Sequence, residues 1–418
     1  MNAPGMDDSD GGIAAAMGAL GTGPLTEAGL RAHVWPLFTR ALERSARVIY
    51  LGNHSLCRPL DRTARDVAQG VSEWALGLNE AWTPWAAARD RYRDGVARLI
   101  HAPSADCIVP KTSAGQGLRA VLNALPPGTD GRLRVVATEG EFDSLDFILR
   151  VYRERGRIAL TLVPPRQDGR FHAQDIAAAV TPGTDLVVVS SVMFRTGQVV
   201  QGLHGLAASA HAAGAKLMVD VYHGAGVLPT DVQAWEADFA VGGCYKYLRG
   251  GPGACWLYVN PAHLGLRTLD TGWFAKKDVF SYARPEPPEF AGGGAGWNES
   301  TPPVLVPYQA LAGLEFTLAI GVERLRAYSL AQQARLAALL AAEGIEARGA
   351  LGANAPAHGA FLTVRHPRAA ELAQALDARG VHGDARGEYL RLCPDILNPD
   401  EELVRAARLT GEALRSLG

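Results

Sequence analysis

The chain has 418 residues, of which 48% are hydrophobic and 20% are charged, and its formal net charge is −2. This length is sufficient for a large hydrophobic core and predicts two domains. The near-neutral charge, without a concentrated basic patch, argues against nucleic acid as the main partner.

Membrane and metal-binding classes are also disfavoured. The weakly apolar run at residues 12–21 lacks the basic flank of a signal peptide and the length of a membrane span, so we expect no membrane contact. The five cysteines are scattered without a C-x-x-C pair, which predicts reduced thiols in a cytoplasmic protein. No group of histidine, cysteine and acidic residues has metal-ligand spacing, so we predict no metal.

The N-terminal region begins with a small, acidic, glycine-rich segment, residues 1–22, which predicts a disordered arm. Residues 25–46 have helical spacing of apolar side chains, with a kink or break expected at Pro36. A short strand then breaks into a polar turn at Asn53 and His54. The turn is either a simple one closed by Asn53 or part of a binding site.

Two helices are predicted across residues 61–101, around Trp82 and Trp85, which are either core residues or the wall of a pocket. A strand at residue 107 follows and leads through a small-residue turn into an amphipathic helix. Free backbone N–H groups and hydroxyls at a helix start can bind phosphate, although a simple Ser or Thr N-cap explains the same pattern. The candidates in this turn are Lys111, Thr112 and Ser113.

From residue 134 onward, short Val/Ile/Leu-rich strands alternate with helices, which predicts a mostly parallel sheet covered on both faces. Ligands of such sheets bind at the carboxyl ends of the strands. The side chains that fall at or just past predicted strand ends are Phe142, Ser190, Asp220 and Lys246.

The stretch 215–259 combines an acid and a lysine in a pattern that fits pyridoxal 5'-phosphate (PLP). One apolar run ends at Asp220, with His223 close behind, and a second delivers Lys246 beside glycines. PLP needs a lysine that forms a Schiff base with its aldehyde and an acid that keeps its pyridine nitrogen protonated. The alternative is a solvated lysine and an N-cap aspartate.

A smaller α/β unit is predicted after a proline- and glycine-rich loop at residues 284–303. Helices near 307–320 and 322–343 precede strands, a helix near 368–379, a strand at 388–393 and a last helix near 400–416. Arg391 lies on that last strand, and an arginine fork suits a carboxylate, although a surface ion pair is the commoner use.

The motifs of the central stretch resemble the class V branch of fold-type I PLP enzymes, and within it kynureninase. D-V-Y-H begins at Asp220, C-Y-K-Y-L at Cys244 and G-P-G at Gly251. The resemblance implies an α/β, aspartate aminotransferase-like PLP-dependent transferase fold with a mostly parallel sheet in the large domain and a small C-terminal α/β domain. It implies boundaries of 23–306 for the large domain, with 23–60 contributing to the active-site mouth, and 307–418 for the small domain.

Roles follow from the same resemblance. Lys246 and Asp220 become the catalytic pair. Trp273 and Thr301 are expected to reach the PLP phosphate of a neighbouring subunit, which implies a homodimer with shared active sites. The implied cofactor-binding residues are Lys111, Thr112, Ser113, Phe142, Ser190, Asp220, His223, Tyr245, Lys246, Trp273 and Thr301, and the implied substrate-binding residues are Arg391, Asn53, His54 and Leu78.

The implied reaction is hydrolysis of the Cβ–Cγ bond of a kynurenine-type amino acid to alanine and an aromatic acid. The sequence departs from the family on the substrate side, because Leu78 stands for a histidine, Thr301 for an asparagine and Ala275-Lys276 for a Gly-His pair. Phe194 also stands for a tyrosine that binds the cofactor phosphate in the family. A class V aminotransferase or an epimerase acting on another amino acid therefore stays open, as does a non-catalytic PLP-binding protein. A cysteine desulfurase is disfavoured, because no cysteine lies between Cys255 and Cys393.

Overall fold

A seven-stranded sheet forms the centre of the computed structural model, which describes residues 11–45, 47–349 and 351–417. The strands of the described chain are β1 (Ile49–Tyr50), β2 (Ile108–Lys111), β3 (Leu133–Thr138), β4 (Ile158–Val163), β5 (Leu186–Ser190), β6 (Lys216–Asp220), β7 (Phe239–Gly243), β8 (Cys255–Val259), β9 (Leu362–Arg365), β10 (Val381–His382), β11 (Asp384–Arg386) and β12 (Tyr389–Leu392).

Helices cover both faces of this sheet. They are α1 (Gly11–Leu20), α2 (Glu27–Gly29), α3 (Thr39–Ser45), α4 (Arg62–Gly77), α5 (Trp82–Leu99), α6 (Ala114–Leu122), α7 (Asp143–Glu154), α8 (Ala173–Ala179), α9 (Leu203–Ala212), α10 (Val306–Ile320), α11 (Val322–Ala342), α12 (Ala369–Asp377) and α13 (Asp400–Leu417). Every residue of β5, β7 and β8 is buried, as expected for strands packed on both faces.

The order of strands in the sheet is β2-β8-β7-β6-β5-β3-β4, and only β8 among these runs against its neighbours. The carboxyl ends of β2, β3, β5, β6 and β7 therefore meet at one edge. The predicted fold class, a mostly parallel sheet with helices on both faces, is confirmed. Side chains that the sequence places at strand ends are brought to the same edge.

The prediction of a disordered arm is wrong for residues 11–20, which form α1; residues 1–10 lie outside the described residues. Ile13 and Ala16 of α1 are buried, and Ile13 packs in a cluster that includes Leu30 and Phe38. The sequence does not predict this packing, because the segment is rich in small residues and only a few of its side chains contribute to the core. The break expected at Pro36 is confirmed by a 3₁₀ turn over Trp35–Leu37, which precedes α3.

The C-terminal part has its own small sheet, in the order β11-β12-β9, and its own core. β1 pairs with β10, and Ile49 and Leu51 join that core, so the chain near residue 50 belongs to the smaller unit by packing. Helix α10 instead contributes Tyr308 and Leu314 to the core of the large sheet. The domain boundary at 306/307 stays a prediction. Within the described ranges, every helix is too short or too polar to cross a bilayer.

Candidate active site

Lys246 lies just beyond the end of β7, in the interior of the protein. Its side chain is buried, and Nζ lies 2.7 Å from Nε2 of His223. Burial lowers the pKa of the Lys246 amine, and the cation of Arg391 lowers it further, while Asp220 opposes the change. A Cβ at Gly243 would lie 2.2 Å from the Tyr222 hydroxyl, so only glycine allows this approach of the backbone. The result is a buried amine that loses its proton easily.

Asp220 ends β6 and is also buried. Its carboxylate accepts a hydrogen bond of 2.8 Å from the backbone N–H of Tyr222. Burial raises the pKa of Asp220, whereas that hydrogen bond and the charge of Lys246 lower it. The predicted acid and lysine are thus both buried, and the charge of each shifts the pKa of the other.

Aromatic rings surround the Lys246 amine. Nζ lies 5.5 Å from the ring centre of Phe142, 5.3 Å from that of Tyr222 and 5.7 Å from that of Tyr245. The Phe142 ring also meets Phe194 edge to face, with centroids 5.6 Å apart. Flat apolar walls of this kind suit an aromatic ring placed against Lys246.

Ser190 and a residue that the sequence reasoning missed, Glu141, form a buried pair. The Ser190 hydroxyl lies 2.6 Å from Oε2 of Glu141, and the Thr138 hydroxyl lies 2.6 Å from Oε1. Burial raises the pKa of Glu141 to about 7. The sequence gives only a weak indication of a functional role for Glu141, which is that it directly precedes Phe142. The turn that contains it has the composition of a polar, solvated loop.

Arg391 is held by Asp384, the second residue missed from sequence. Nε of Arg391 donates to Oδ1 of Asp384 at 2.7 Å, and Nη2 donates to Oδ2. Nη1 donates to the backbone oxygen of Phe194, and Nη2 contacts the Ser55 hydroxyl at 3.3 Å. These contacts leave one of the five N–H groups of Arg391, on Nη1, for another acceptor. Only the pairing of β11 with β12 places the two residues opposite each other.

The turn after β1 contributes two buried residues with different surroundings. His54 Nε2 lies 2.8 Å from Oδ1 of Asp384, and its ring centre lies 6.5 Å from that of His223. Burial, with the charge of Arg391, lowers the pKa of His54 to about 4. Asn53 donates from Nδ2 to the Cys393 oxygen at 2.8 Å. His54 thus belongs to the Arg391 network, whereas the amide of Asn53 ties two loops together.

The turn at the start of α6 forms a second group at the same sheet edge. Ser113 is the N-cap of α6, and its hydroxyl accepts from the backbone N–H of Gln116. Lys111 donates to Glu299 Oε1 at 2.9 Å and to the Trp297 oxygen at 3.1 Å. Thr112 contacts the side-chain oxygen of Gln116 through both its N–H and its hydroxyl. The amine of Lys111 is therefore engaged by a carboxylate within the chain.

A cavity of about 310 Å³ adjoins this turn. Its wall includes Thr112, Thr301 and the rings of Trp82 and Trp85. The Trp273 indole donates to the Thr301 hydroxyl at 3.1 Å, so the two residues predicted to act together do meet. The cavity wall does not include Leu78, which lies 70% exposed at the end of α4 with a positive φ of 47°.

The groups around Lys246 fit PLP by their chemistry. A buried amine of lowered pKa, a buried acid and flat aromatic walls match the aldehyde, the ring nitrogen and the ring of the cofactor. The buried Nδ1 of His223 has no hydrogen-bond partner within the protein, which leaves a polar atom for a bound molecule. Within the described residues, no cluster of histidine, cysteine and acidic side chains could hold a metal ion.

Curated relatives with sequence similarity include kynureninases. The Bacillus cereus enzyme is 27% identical over 88% of both chains, and that of Geobacillus thermodenitrificans is 28% identical over 85% of this chain and 86% of its own. An uncharacterized aminotransferase, YcbU of Bacillus subtilis, is 28% identical over 82% of this chain and 89% of its own.

Solved structures show the same fold. A cysteine desulfurase from Thermococcus onnurineus superposes with a TM-score of 0.76 at 18% identity and covers 92% of this chain and 98% of its own. A C-DES variant with glycine covalently linked to its PLP cofactor superposes with a TM-score of 0.78 at 19% identity, over 90% of this chain and 98% of its own. The family model for class V aminotransferases matches residues 79–389. The chain therefore belongs to the class V aminotransferase family and is a PLP-dependent enzyme.

Proposed function

We propose that this enzyme is a kynureninase-like hydrolase, which cleaves the Cβ–Cγ bond of a kynurenine-type amino acid to alanine and an aromatic acid. The observation that carries the proposal is the similarity to kynureninases over 88% of both chains. Hydrolysis of this bond consumes one water; the acyl carbon becomes the carboxyl of the aromatic acid, and Cβ gains a proton to become the methyl group of alanine.

Lys246 is the proposed anchor of the cofactor and the general base. When bound, PLP supplies an electron sink for the charge that develops at Cα of the amino acid. The Lys246 amine, whose pKa burial lowers, can take the Cα proton and return it, because an amine near neutrality is suited to transfer in both directions. His223, 2.7 Å from Nζ, holds the amine in place through a hydrogen bond.

Arg391 is the proposed holder of the substrate carboxylate. It is buried, its Nε edge is fixed by Asp384, and one of the two N–H groups of Nη1 is not used by these contacts. The Asp384 carboxylate is held in turn by His54 Nε2 and by the Ser55 hydroxyl, which lie 2.8 Å from Oδ1 and Oδ2 respectively. The guanidinium is therefore oriented before a substrate arrives.

The turn of Lys111, Thr112 and Ser113 is the proposed phosphate site, together with Trp273 and Thr301 of a partner subunit. A homodimer is supported by large exposed apolar side chains, one of which, Phe280, also lines the cavity, since exposed apolar patches commonly mark interfaces. The exposed side chains are Trp74, Leu76, Leu78, Phe280 and Tyr282.

The second candidate is an aminotransferase of the same family. The similarity to YcbU supports it, as do the departures at Leu78 and Thr301, which remove polar groups expected to read an aromatic amine. A desulfurase is not proposed, because all five cysteines are buried and burial raises the pKa of Cys255 to about 11, away from a reactive thiolate.

The experiment that separates the two candidates adds L-kynurenine and 3-hydroxy-L-kynurenine separately to PLP-loaded protein. A hydrolase gives the fluorescent aminobenzoate and alanine in equal amounts without a keto acid acceptor. Turnover that occurs only when a keto acid is added would support the aminotransferase and contradict the hydrolase. Lys246→Ala is the control for uncatalysed cleavage.

A further inference from the structure

Glu141 links two strand ends, those of β3 and β5, at the cofactor edge of the sheet. It lies in the turn after β3, and its carboxyl contacts Thr138 of β3 and Ser190 of β5, each at 2.6 Å. Ser190 is paired in register with Asp220 of β6, the acid proposed to hold the ring nitrogen. The next residue in the chain, Phe142, supplies one of the rings facing Lys246. Glu141 is thus tied to the ring wall and to the ring-nitrogen acid.

The hydrogen count at this carboxyl decides which way the Ser190 hydroxyl points. The Thr138 hydroxyl accepts from the N–H of Gly140 at 3.2 Å and donates to Oε1 of Glu141, which is the acceptor that its single hydrogen has among the described residues. An ionised Glu141 can only accept, so Ser190 must also donate to it. A protonated Glu141 donates to Ser190 instead, and the serine hydrogen is then free for another acceptor.

The surroundings favour the protonated form. Glu141 is 3% exposed, Thr138 and Ser190 carry no charge, and the nearby Asp220 is an anion that repels a second one. Burial is the largest cause of the raised pKa of Glu141, and the charge of Asp220 adds to it. Hydrogen bonds from the Ser190 and Thr138 hydroxyls and from the Ser190 backbone N–H act in the opposite direction and lower the pKa, so the balance leaves it at about 7 and both protonation states are accessible near neutral pH.

We propose that Glu141 is a positioning residue that, in its protonated form, donates to Ser190 and turns the Ser190 hydrogen toward the bound cofactor. Loss of the Glu141 proton reverses the bond between the two residues and withdraws that donor. The inference rests on the proposed cofactor role of Ser190 and not on the choice of substrate.

The test measures the dissociation constant of PLP from wild type and Glu141→Gln between pH 6 and pH 8.5. The amide of Gln donates to Ser190 at every pH, so it imitates the protonated acid. Other titrating groups, including Lys246, Asp220 and the PLP phosphate, act on both proteins, so the ratio of the two constants isolates Glu141. We expect wild-type affinity to fall relative to the variant by about tenfold across this range, the worth of one hydrogen bond.

Two further variants keep the inference falsifiable. In the first, Glu141→Gln is combined with Ser190→Ala and compared with Ser190→Ala alone. The ratio of the PLP dissociation constants of these two proteins should not depend on pH, because the Ser190 hydroxyl is absent from both. Glu139→Gln, an exposed acid in the same turn, should behave as wild type. A ratio that does not change with pH, or a change that persists without the Ser190 hydroxyl, would overturn the inference. Because no substrate is used, neither result depends on the hydrolase assignment.

Discussion

Exchange of Asp384 for asparagine tests how Arg391 is prepared for the substrate. The Asp384 carboxylate accepts two hydrogen bonds from Arg391, one from Nε at 2.7 Å and one from Nη2. This two-bond contact fixes the plane of the guanidinium. Asparagine offers one oxygen, and its NH₂ group would face an N–H of the arginine, so one bond is lost and two donors oppose each other.

The size of the effect follows from the lost bond. A hydrogen bond between charged partners contributes about 1.5–3 kcal/mol, and 1.4 kcal/mol corresponds to a tenfold change in affinity. Arg391 is only 2% exposed, so water cannot replace the missing acceptor. We therefore expect Asp384→Asn to bind the amino-acid carboxylate about 10- to 100-fold more weakly.

Titration of PLP-loaded protein with L-alanine, the amino-acid product of the proposed reaction, gives this affinity from the change in cofactor absorbance. Glu388→Gln is the matched control, because Glu388 lies in the turn between β11 and β12 and pairs at the surface with Arg365 of β9. Its affinity should equal that of wild type. Tighter alanine binding by Asp384→Asn would refute the reasoning, since it would mean that Asp384 competes with the substrate for Arg391.

Three other predictions concern the cofactor, the substrate and pH. Phe194→Tyr restores the hydroxyl found in kynureninase-like sequences and should tighten PLP binding about three- to tenfold by equilibrium dialysis; unchanged affinity would show that the hydroxyl has no acceptor there. Leu78→His should lower KM for kynurenine but not the alanine affinity, and an effect on both would argue against a role at the aromatic ring. The pKa of His54 is lowered from 6.5 to about 4, so its contribution to stability is complete above pH 6.5 and is lost as the pH falls toward 4. The lowered pKa of His54 should reduce the free energy of unfolding of the wild type by about 2 kcal/mol between pH 7 and pH 5. The urea midpoint of His54→Gln should therefore fall less than that of the wild type over that interval. Parallel decreases in the two proteins would contradict the lowered pKa of His54.

The cofactor chemistry could be predicted from sequence because it depends on strand ends. Asp220 and Lys246 each follow an apolar run, and parallel strands bring their ends to one edge whatever the details of packing. The same rule places Phe142 and Ser190. These positions need only the order and direction of the strands, which the alternation of strands and helices supplies.

What the sequence could not supply were partners set by register or by burial. Asp384 meets Arg391 because β11 pairs with β12 in one register, and a shift of one residue would turn its side chain to the other face. Glu141 reads as a solvated acid because the sequence does not show that the end of β5, with Ser190, lies beside the turn after β3. Residues 11–20 read as an arm because a few apolar side chains, Ile13, Met17 and Leu20, suffice to dock a segment that is otherwise small and glycine-rich.

Identification of the lysine that carries the cofactor tests the account most directly. PLP-loaded protein is reduced with sodium borohydride, digested and analysed by mass spectrometry, which locates the pyridoxyl mass on the chain. The account predicts the label on Lys246 and its loss in Lys246→Ala. A label on Lys111, or an unchanged level of specific labelling in Lys246→Ala, would contradict the site built on Lys246 and Asp220.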